Sequence, residues 1–538
     1  MAALSGFFAI QESSTARVRK GFPFLCVIFL YSIVGCSQRD HRIAQEQGES
    51  IRSEVMKKVL DFRQNDLVDP FQDESAKVTE ETPTIIESIT LESALLLATK
   101  LNRNYLSQRE SLFLSALSLG VVRRDFLRPV FSGSASYNVS GSSDAEELSK
   151  VSGLSISGQQ YLFTGGQLSV SAGADKVDDG VSPVRDYSGS MNASISQPLL
   201  RGAGRGLAYE SLTQAERNLL YAARSFESYR QNFAIQITQK FFSLLSQKIQ
   251  LANEDENVRG QQFAYDQAKA LFRIGTGRSL DVFRAEQALL VAKNNQSNAF
   301  EQFRRALDNF KVDLGISIDS EIDLIGDFPD LSAFSIPLEG ALEAANNNRL
   351  DLLTERDRLE DVKRQLDIRE NGLLPDLNLN ISYGSGTGID DSFSSLNWDD
   401  SDSFSAGLNL EIPLDRMARR NAFRNAEIAL DRAIRELDLK EQQVRLEVQA
   451  ALRQLDQLNF QLEIGKLTIE SFSLTVEKAE IDLTRGTATN RDVVEAQSAL
   501  TDAKNSQLDR IVAHEIQILE IYRLLGLLFV SEEGMIVS

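Results

Sequence analysis

One run of residues occurs twice in this chain, 211 positions apart, and so constrains the fold to two copies of one large unit. Gly275-Thr276-Gly277-Arg278-Ser279-Leu280-Asp281-Val282 continues to Ala285 and Leu289; Gly486-Thr487-Ala488-Thr489-Asn490-Arg491-Asp492-Val493 continues to Ala496 and Leu500. Leu314-Gly315 and Leu525-Gly526 keep the same offset, so a whole helical hairpin is repeated. A period this long excludes a solenoid of small repeats.

Each half carries a second echo upstream. Leu91-Glu92-x-Ala94-Leu95-x-x-Ala98 matches Leu338-Glu339-x-Ala341-Leu342-x-x-Ala345, and the helices that follow run to Pro129 and Pro375, 246 apart. Pro198 and Pro413 are only 215 apart, so the first half holds 31 extra residues between its two prolines. Between the prolines the sequence alternates, as in Phe131 to Tyr137, Met191 to Ile195, Leu377 to Tyr383 and Phe404 to Leu410. Period two with Ser, Asn and Gly as the polar partners reads as strands. It suits the inner face of a transmembrane barrel, with a soluble sandwich as the alternative. Each half therefore reads helix, strand, strand, long helix, turn, helix.

The long helices span about 207–274 and 414–485, near 100 Å at ~1.5 Å per residue. Flanking helices over about 91–127 and 278–314 are near half that length, so two stacked end to end match one long helix. Leu430, Leu437, Val444, Ala451 and Leu458, with Val448, Leu455, Leu462, Ile469, Val476 and Leu483, form a coiled-coil seam. Phe460, Leu467, Leu474 and Ile481 make a second stripe about 140° around the helix. Two stripes imply two neighbours, as in a closed tube of helices; a large bundle or rod is the alternative.

The repeated L-E-x-A-L-x-x-A start, the Leu373-Leu374-Pro375-Asp376-Leu377 strand entry, the Ser196-Gln197-Pro198-Leu199 strand exit and the G-T-x-x-x-x-D-V-x-x-A turns together resemble the TolC family of outer-membrane efflux proteins over about 85–530. The resemblance implies an α+β membrane protein with two internal repeats per chain. Its homotrimer forms a transmembrane β-barrel continued by a long periplasmic α-helical barrel closed at its inner end. It implies a passive duct for efflux or type I secretion, working with a periplasmic adaptor (membrane fusion protein) and an inner-membrane pump. The tips Gly275, Thr276, Gly277, Gly486 and Thr487 match those that meet the adaptor, although glycines of this kind also simply end helices. Asp492 and Glu495 match acidic residues ringing the periplasmic gate; Asp281 and Arg284 are their equivalents in the first half. Mutual repulsion in such a ring raises some of the carboxyl pKa values, whereas a lone solvated pair near a helix start is the plain alternative. Arg349-Leu350-Asp351 departs from the family's frequent Arg-Pro-Asp.

The N-terminus reads as an export signal over 1–35: Arg17, Arg19 and Lys20, an apolar run from Phe22 to Val34, then Gly35-Cys36-Ser37, which looks like a lipobox. Cys36 is the expected lipid anchor, with Ser37 favouring the outer membrane by analogy with bacterial lipoproteins, and 36–84 is a polar tether. Repeat one is expected over 85–316, an acidic linker resembling the family's equatorial region over 317–337 and repeat two over 338–538. Cleavage removes Cys26, so no disulfide is expected, and takes the formal charge from −20 to −22 by the loss of Glu12, Arg17, Arg19 and Lys20. An acidic balance disfavours nucleic acid. The two histidines, His41 and His514, and one mature cysteine leave no evident metal site or nucleophile pair, so no cofactor and no catalysis are expected. His514 is expected on a helix surface.

Two readings of function follow: an exit duct, or an envelope-spanning spacer or adhesin whose coiled coils only bridge distance. Strands at the same place in both halves favour the duct. The extra 31 residues look like a hairpin turning near Thr164-Gly165-Gly166, expected as an extension on the extracellular side of the barrel, with two further wall strands as the alternative. Asp390, Asp391, Trp398, Asp399, Asp400 and Asp402 are expected in an outer loop.

Overall fold

The computed structural model describes residues 88–141, 148–178, 186–328, 334, 336–387, 401–485, 487–531 and 534–537. The chain divides into two units, 1–69 and 70–538, and all described residues belong to the second. The expected signal, Cys36, the tether, Gly486 and the acidic residues 390–400 lie outside them.

In chain order the elements are β1 (Ser88–Ile89), α1 (Leu91–Leu101), α2 (Arg103–Leu127), β2 (Val130–Ser140), β3 (Ser149–Tyr161), β4 (Gln167–Asp178), β5 (Asp186–Pro198), α3 (Arg205–Ala208), α4 (Glu210–Arg273) and α5 (Ser279–Leu314). There follow β6 (Asp323–Leu324), α6 (Leu338–Asn348), α7 (Leu350–Asn371), β7 (Asp376–Gly386), β8 (Ser401–Glu411), α8 (Met417–Thr484), α9 (Asn490–Leu524), β9 (Leu528–Ser531) and β10 (Gly534–Val537). Two helices, strands, a long helix and a further helix thus occur twice. The 64 and 68 residues of α4 and α8 make helices about 100 Å long.

The sequence echoes have a packing cause. Ala94 and Ala98 of α1 are fully buried against α4, in a cluster with Phe233, Ile237, Phe241, Phe310 and Leu314. Ala341 and Ala345 of α6 are buried likewise against Val444, Val448, Ala451 and Leu455 of α8, with Ile521 and Leu525 of α9. Small residues let the short helix approach the long one closely, and each large apolar side chain buried there contributes about 1.5–3 kcal/mol. The Leu-Gly echo belongs to the same contact. Gly315 and Gly526 have φ of 80° and 71°; a Cβ on Gly315 would strike the carbonyl of Leu101, and one on Gly526 would lie 2.6 Å from that of Asn348. Both the left-handed backbone and the close approach demand glycine.

The expected single helix over 91–127 is two helices. Asn102 breaks it, capping α2 through a bond accepted from Tyr105 N (2.9 Å) while its amide donates to Asp313 O (2.7 Å). In the second half Arg349 occupies the same place between α6 and α7, donating to Asp351 through Nε (2.8 Å) and Nη2 (3.0 Å) and pairing with Glu447 at 2.5 Å. The departure from Arg-Pro-Asp leaves this staple intact.

Six strands form one antiparallel sheet in the order β2-β3-β4-β5-β7-β8. The first half supplies four strands, the two expected between the prolines and the two of the added hairpin. The hairpin of the extra residues lies within the sheet, and its turn, at 162–166, sits at the helix end: Gln160 donates to Phe126 O at the end of α2 (2.9 Å), and Gly204 N donates to Thr164 O (3.1 Å). An extracellular extension is therefore corrected to two sheet strands. The reason is direction: β2 leaves the helices and β3 returns, so the next turn must fall at the helix end. At that boundary Asp376 of the Leu-Leu-Pro-Asp-Leu entry is held by Arg201 from the first half and Arg419 from the second.

Helices pack side by side in two tiers, α5-α4-α9-α8 towards the hairpin tips and α2-α4-α7-α8 towards the sheet. Between α4 and α7, Asp361 accepts from Tyr221 (2.6 Å) and pairs with Arg217 (2.9 Å) and Arg364 (2.8 Å). Burial, then the bond to Asp361, pushes the Tyr221 phenol up to about 12. No described helix is long and apolar enough to cross a membrane.

Candidate functional site

The tips of the α4–α5 and α8–α9 hairpins are built alike. Thr276 donates both its backbone N–H (3.1 Å) and its hydroxyl (3.2 Å) to Leu271 O, and Gly277 N donates to the same carbonyl (3.0 Å). Thr487 repeats this on Asp482 O at 2.9 and 3.1 Å, with Ala488 N at 3.1 Å. Each threonine thereby satisfies a carbonyl left open at the end of its long helix. Gly275, at φ 81°, makes the left-handed turn with open space around its α-carbon, whereas a Cβ on Gly277 would press on the α4 backbone.

Beyond the tips, α5 and α9 flank a cleft of about 340 Å³ that gathers three of the four expected gate residues, Asp281, Arg284 and Glu495, with Arg491. Asp492 does not line it. Its carboxylate accepts from the backbone N–H and the hydroxyl of Thr489, both at 2.8 Å, closing a capping box on α9. Those bonds hold the Asp492 carboxyl below the usual carboxylate range. Within one chain, Glu495 pairs with Arg491 at 2.5 Å, a partner that the i, i+4 spacing on α9 already signals. The bond to Glu495 in turn raises the Arg491 guanidinium above its ordinary value.

Gln261 and Asn490 also line the cleft. Both are buried, and Gln261 Oε1 and Asn490 Oδ1 have no hydrogen-bond partner within the chain. Leaving them unmet costs about 1–3 kcal/mol each.

His514 is the clearest misplacement. It is 1% exposed, with Nε2 at 2.9 Å from Asn459 Oδ1 of α8 and Nδ1 at 3.2 Å from Glu515 Oε1. Val493, Leu500, Gln507, His514 and Ile521 fall every seven residues on α9, so the heptad carried the signal. Among the described residues no group of three or more His, Cys, Asp or Glu could hold a metal ion.

With this geometry in view, the chain is similar to known proteins in three respects. Residues 341–527 match the model of the outer membrane efflux protein family. The outer membrane protein TolC of Vibrio cholerae serotype O1 is 22% identical over 349 residues, which cover 63% of this chain and 77% of that one. Among solved structures, the outer-membrane channel OprN superposes with a TM-score of 0.62 at 16% identity, covering 81% of this chain and 89% of that chain. The outer membrane protein VceC of Vibrio cholerae gives 0.62 at 14% identity, covering 81% and 96%.

Proposed function

We propose that this chain, whose residues 341–527 match the outer membrane efflux protein family, is the outer-membrane exit duct of a tripartite efflux or type I secretion system. The observation that carries this reading is a pair of open edges repeated at every level. Among the described residues, β2 and β8 are unpaired on one side in the sheet; in the tiers α2 and α5 end one side and α8 the other. On α8 the second stripe, Phe460, Leu467, Leu474 and Ile481, is 43–64% exposed, and Phe283 and Leu290 of α5 are exposed as well. Apolar helix edges and long free strand edges call for neighbours, and both edges complement each other. Three copies joined in this way make the homotrimer, a closed strand wall in the membrane and a helical tube in the periplasm.

The rest follows from that arrangement. Far from the sheet, the hairpin tips Gly275, Thr276, Gly277, Gly486 and Thr487 meet the periplasmic adaptor. Asp492, Glu495, Asp281 and Arg284 surround the inner entrance of the pore, where three copies set their carboxylates near one axis. Cys36 carries the lipid anchor in the outer membrane. Transport energy comes from the inner-membrane pump, and the duct itself is passive. Removing the gene while leaving pump and adaptor in place is expected to raise accumulation of the pump's substrate inside cells; unchanged accumulation in cells shown to have no second duct would overturn the role.

A further inference from the structure

We infer that three copies of this chain close a barrel of eighteen strands over a tube of twelve helices, with the extra hairpin β3–β4 as part of the membrane wall. The inference rests on the trimeric duct proposed above. Its support is the register of the sheet. One row across all six strands reads Phe131, Gly158, Val170, Ala193, Tyr383 and Phe404; the next reads Ser132, Ser157, Ser171, Asn192, Gly384 and Ser403. Thus the inserted strands continue one apolar face and one hydroxyl face without a slip. Leu154 and Ile156 of β3 and Val170 of β4 are 45–58% exposed on the apolar face, alongside Met191 and Leu408. On the other face Ser157 and Ser155 share hydrogen bonds with Ser132 (2.8 Å) and Ser134 (2.7 Å). A loop folded outside a barrel would have no need of a lipid-compatible face in register with the wall.

Direction and size agree. β2 runs away from the helices and β8 towards them, so β8 of one copy meets β2 of the next in the antiparallel sense of the other pairs. Six strands per chain then give an even, alternating ring of eighteen. At ~4.8 Å between strands and a tilt of ~40°, eighteen strands have a circumference of ~110 Å and twelve only ~75 Å. Four helices abreast in each chain give twelve at ~9–10 Å spacing, or ~110–120 Å around. The larger barrel matches the width of the tube.

Electron cryomicroscopy of the purified full chain in lipid nanodiscs tests this by counting strands. Eighteen are expected, with β3 beside β2 and β4 beside β5. The variant lacking 149–178 brings β2 directly beside β5 with Phe131 opposite Ala193, so its trimer is expected to hold twelve strands and two thirds of the circumference. A wild-type trimer with a twelve-strand wall and β3–β4 folded outside it would overturn the inference while leaving the duct intact. A particle that is not a trimer would overturn the duct reading and this one with it. Should the deletion variant fail to assemble, the wild-type count decides alone.

Discussion

Asp351 sits where α6, α7 and α8 meet, taking bonds from Arg349 and an ion pair from Lys440 at 2.8 Å. Burial opposes its ionisation, yet the hydrogen bonds from Arg349 and Lys440 outweigh that and hold its carboxyl below the usual carboxylate range. A folded-state pKa below the unfolded one contributes stability that is complete above the unfolded value, near 3.8, and is lost as pH falls through the folded value. Asp351→Asn is therefore expected to lower the melting temperature at neutral pH by an amount that persists to about pH 5 and shrinks below about pH 4. Thermal melts of both proteins across that range check it; a difference that grows in acid would contradict the ion-pair account. A group half open to water contributes modestly, so the effect is a few degrees.

Among the elements, α8 most clearly needs neighbours. Its first seam is filled within the chain by Val444, Val448, Leu455 and Leu462, whereas Leu467 and Leu474 of the second stripe stand in solvent. Leu467→Glu with Leu474→Glu is expected to leave the helical content of the single chain unchanged and abolish assembly, since each Leu forgoes about 1.5–3 kcal/mol of burial at every copy of the interface. Light scattering with circular dichroism separates the two effects, and a full-sized oligomer would show that the stripe has no partner. Both stripes were legible because heptads leave a strict period in the sequence. The break at Asn102 was less so, since an N-cap inside a continuous apolar pattern changes no periodicity. Alternation located the strands and the turn of the extra hairpin, but a strand reads the same in a wall or a loop. Only the direction of travel decided the side. Asp492 and Glu495 lie near the start of α9, and the pairing of one with Thr489 and the other with Arg491 depends on rotamers that spacing merely permits.

At the scale of the whole molecule, two halves of one pattern differ where the first adds a hairpin, and every level of the structure presents the same two free edges. A spacer has no use for a lipid-compatible sheet with hydroxyls on its other face; a duct uses both. Current through the purified protein in a planar bilayer tests that claim most directly. Discrete single-channel steps that favour cations and are blocked by multivalent cations are expected, with selectivity and block both weakened in Asp492→Ala with Glu495→Ala while the trimer persists. A wild-type trimer, inserted in the bilayer, that passes no current even when the hairpin tips are opened by substitution would contradict it.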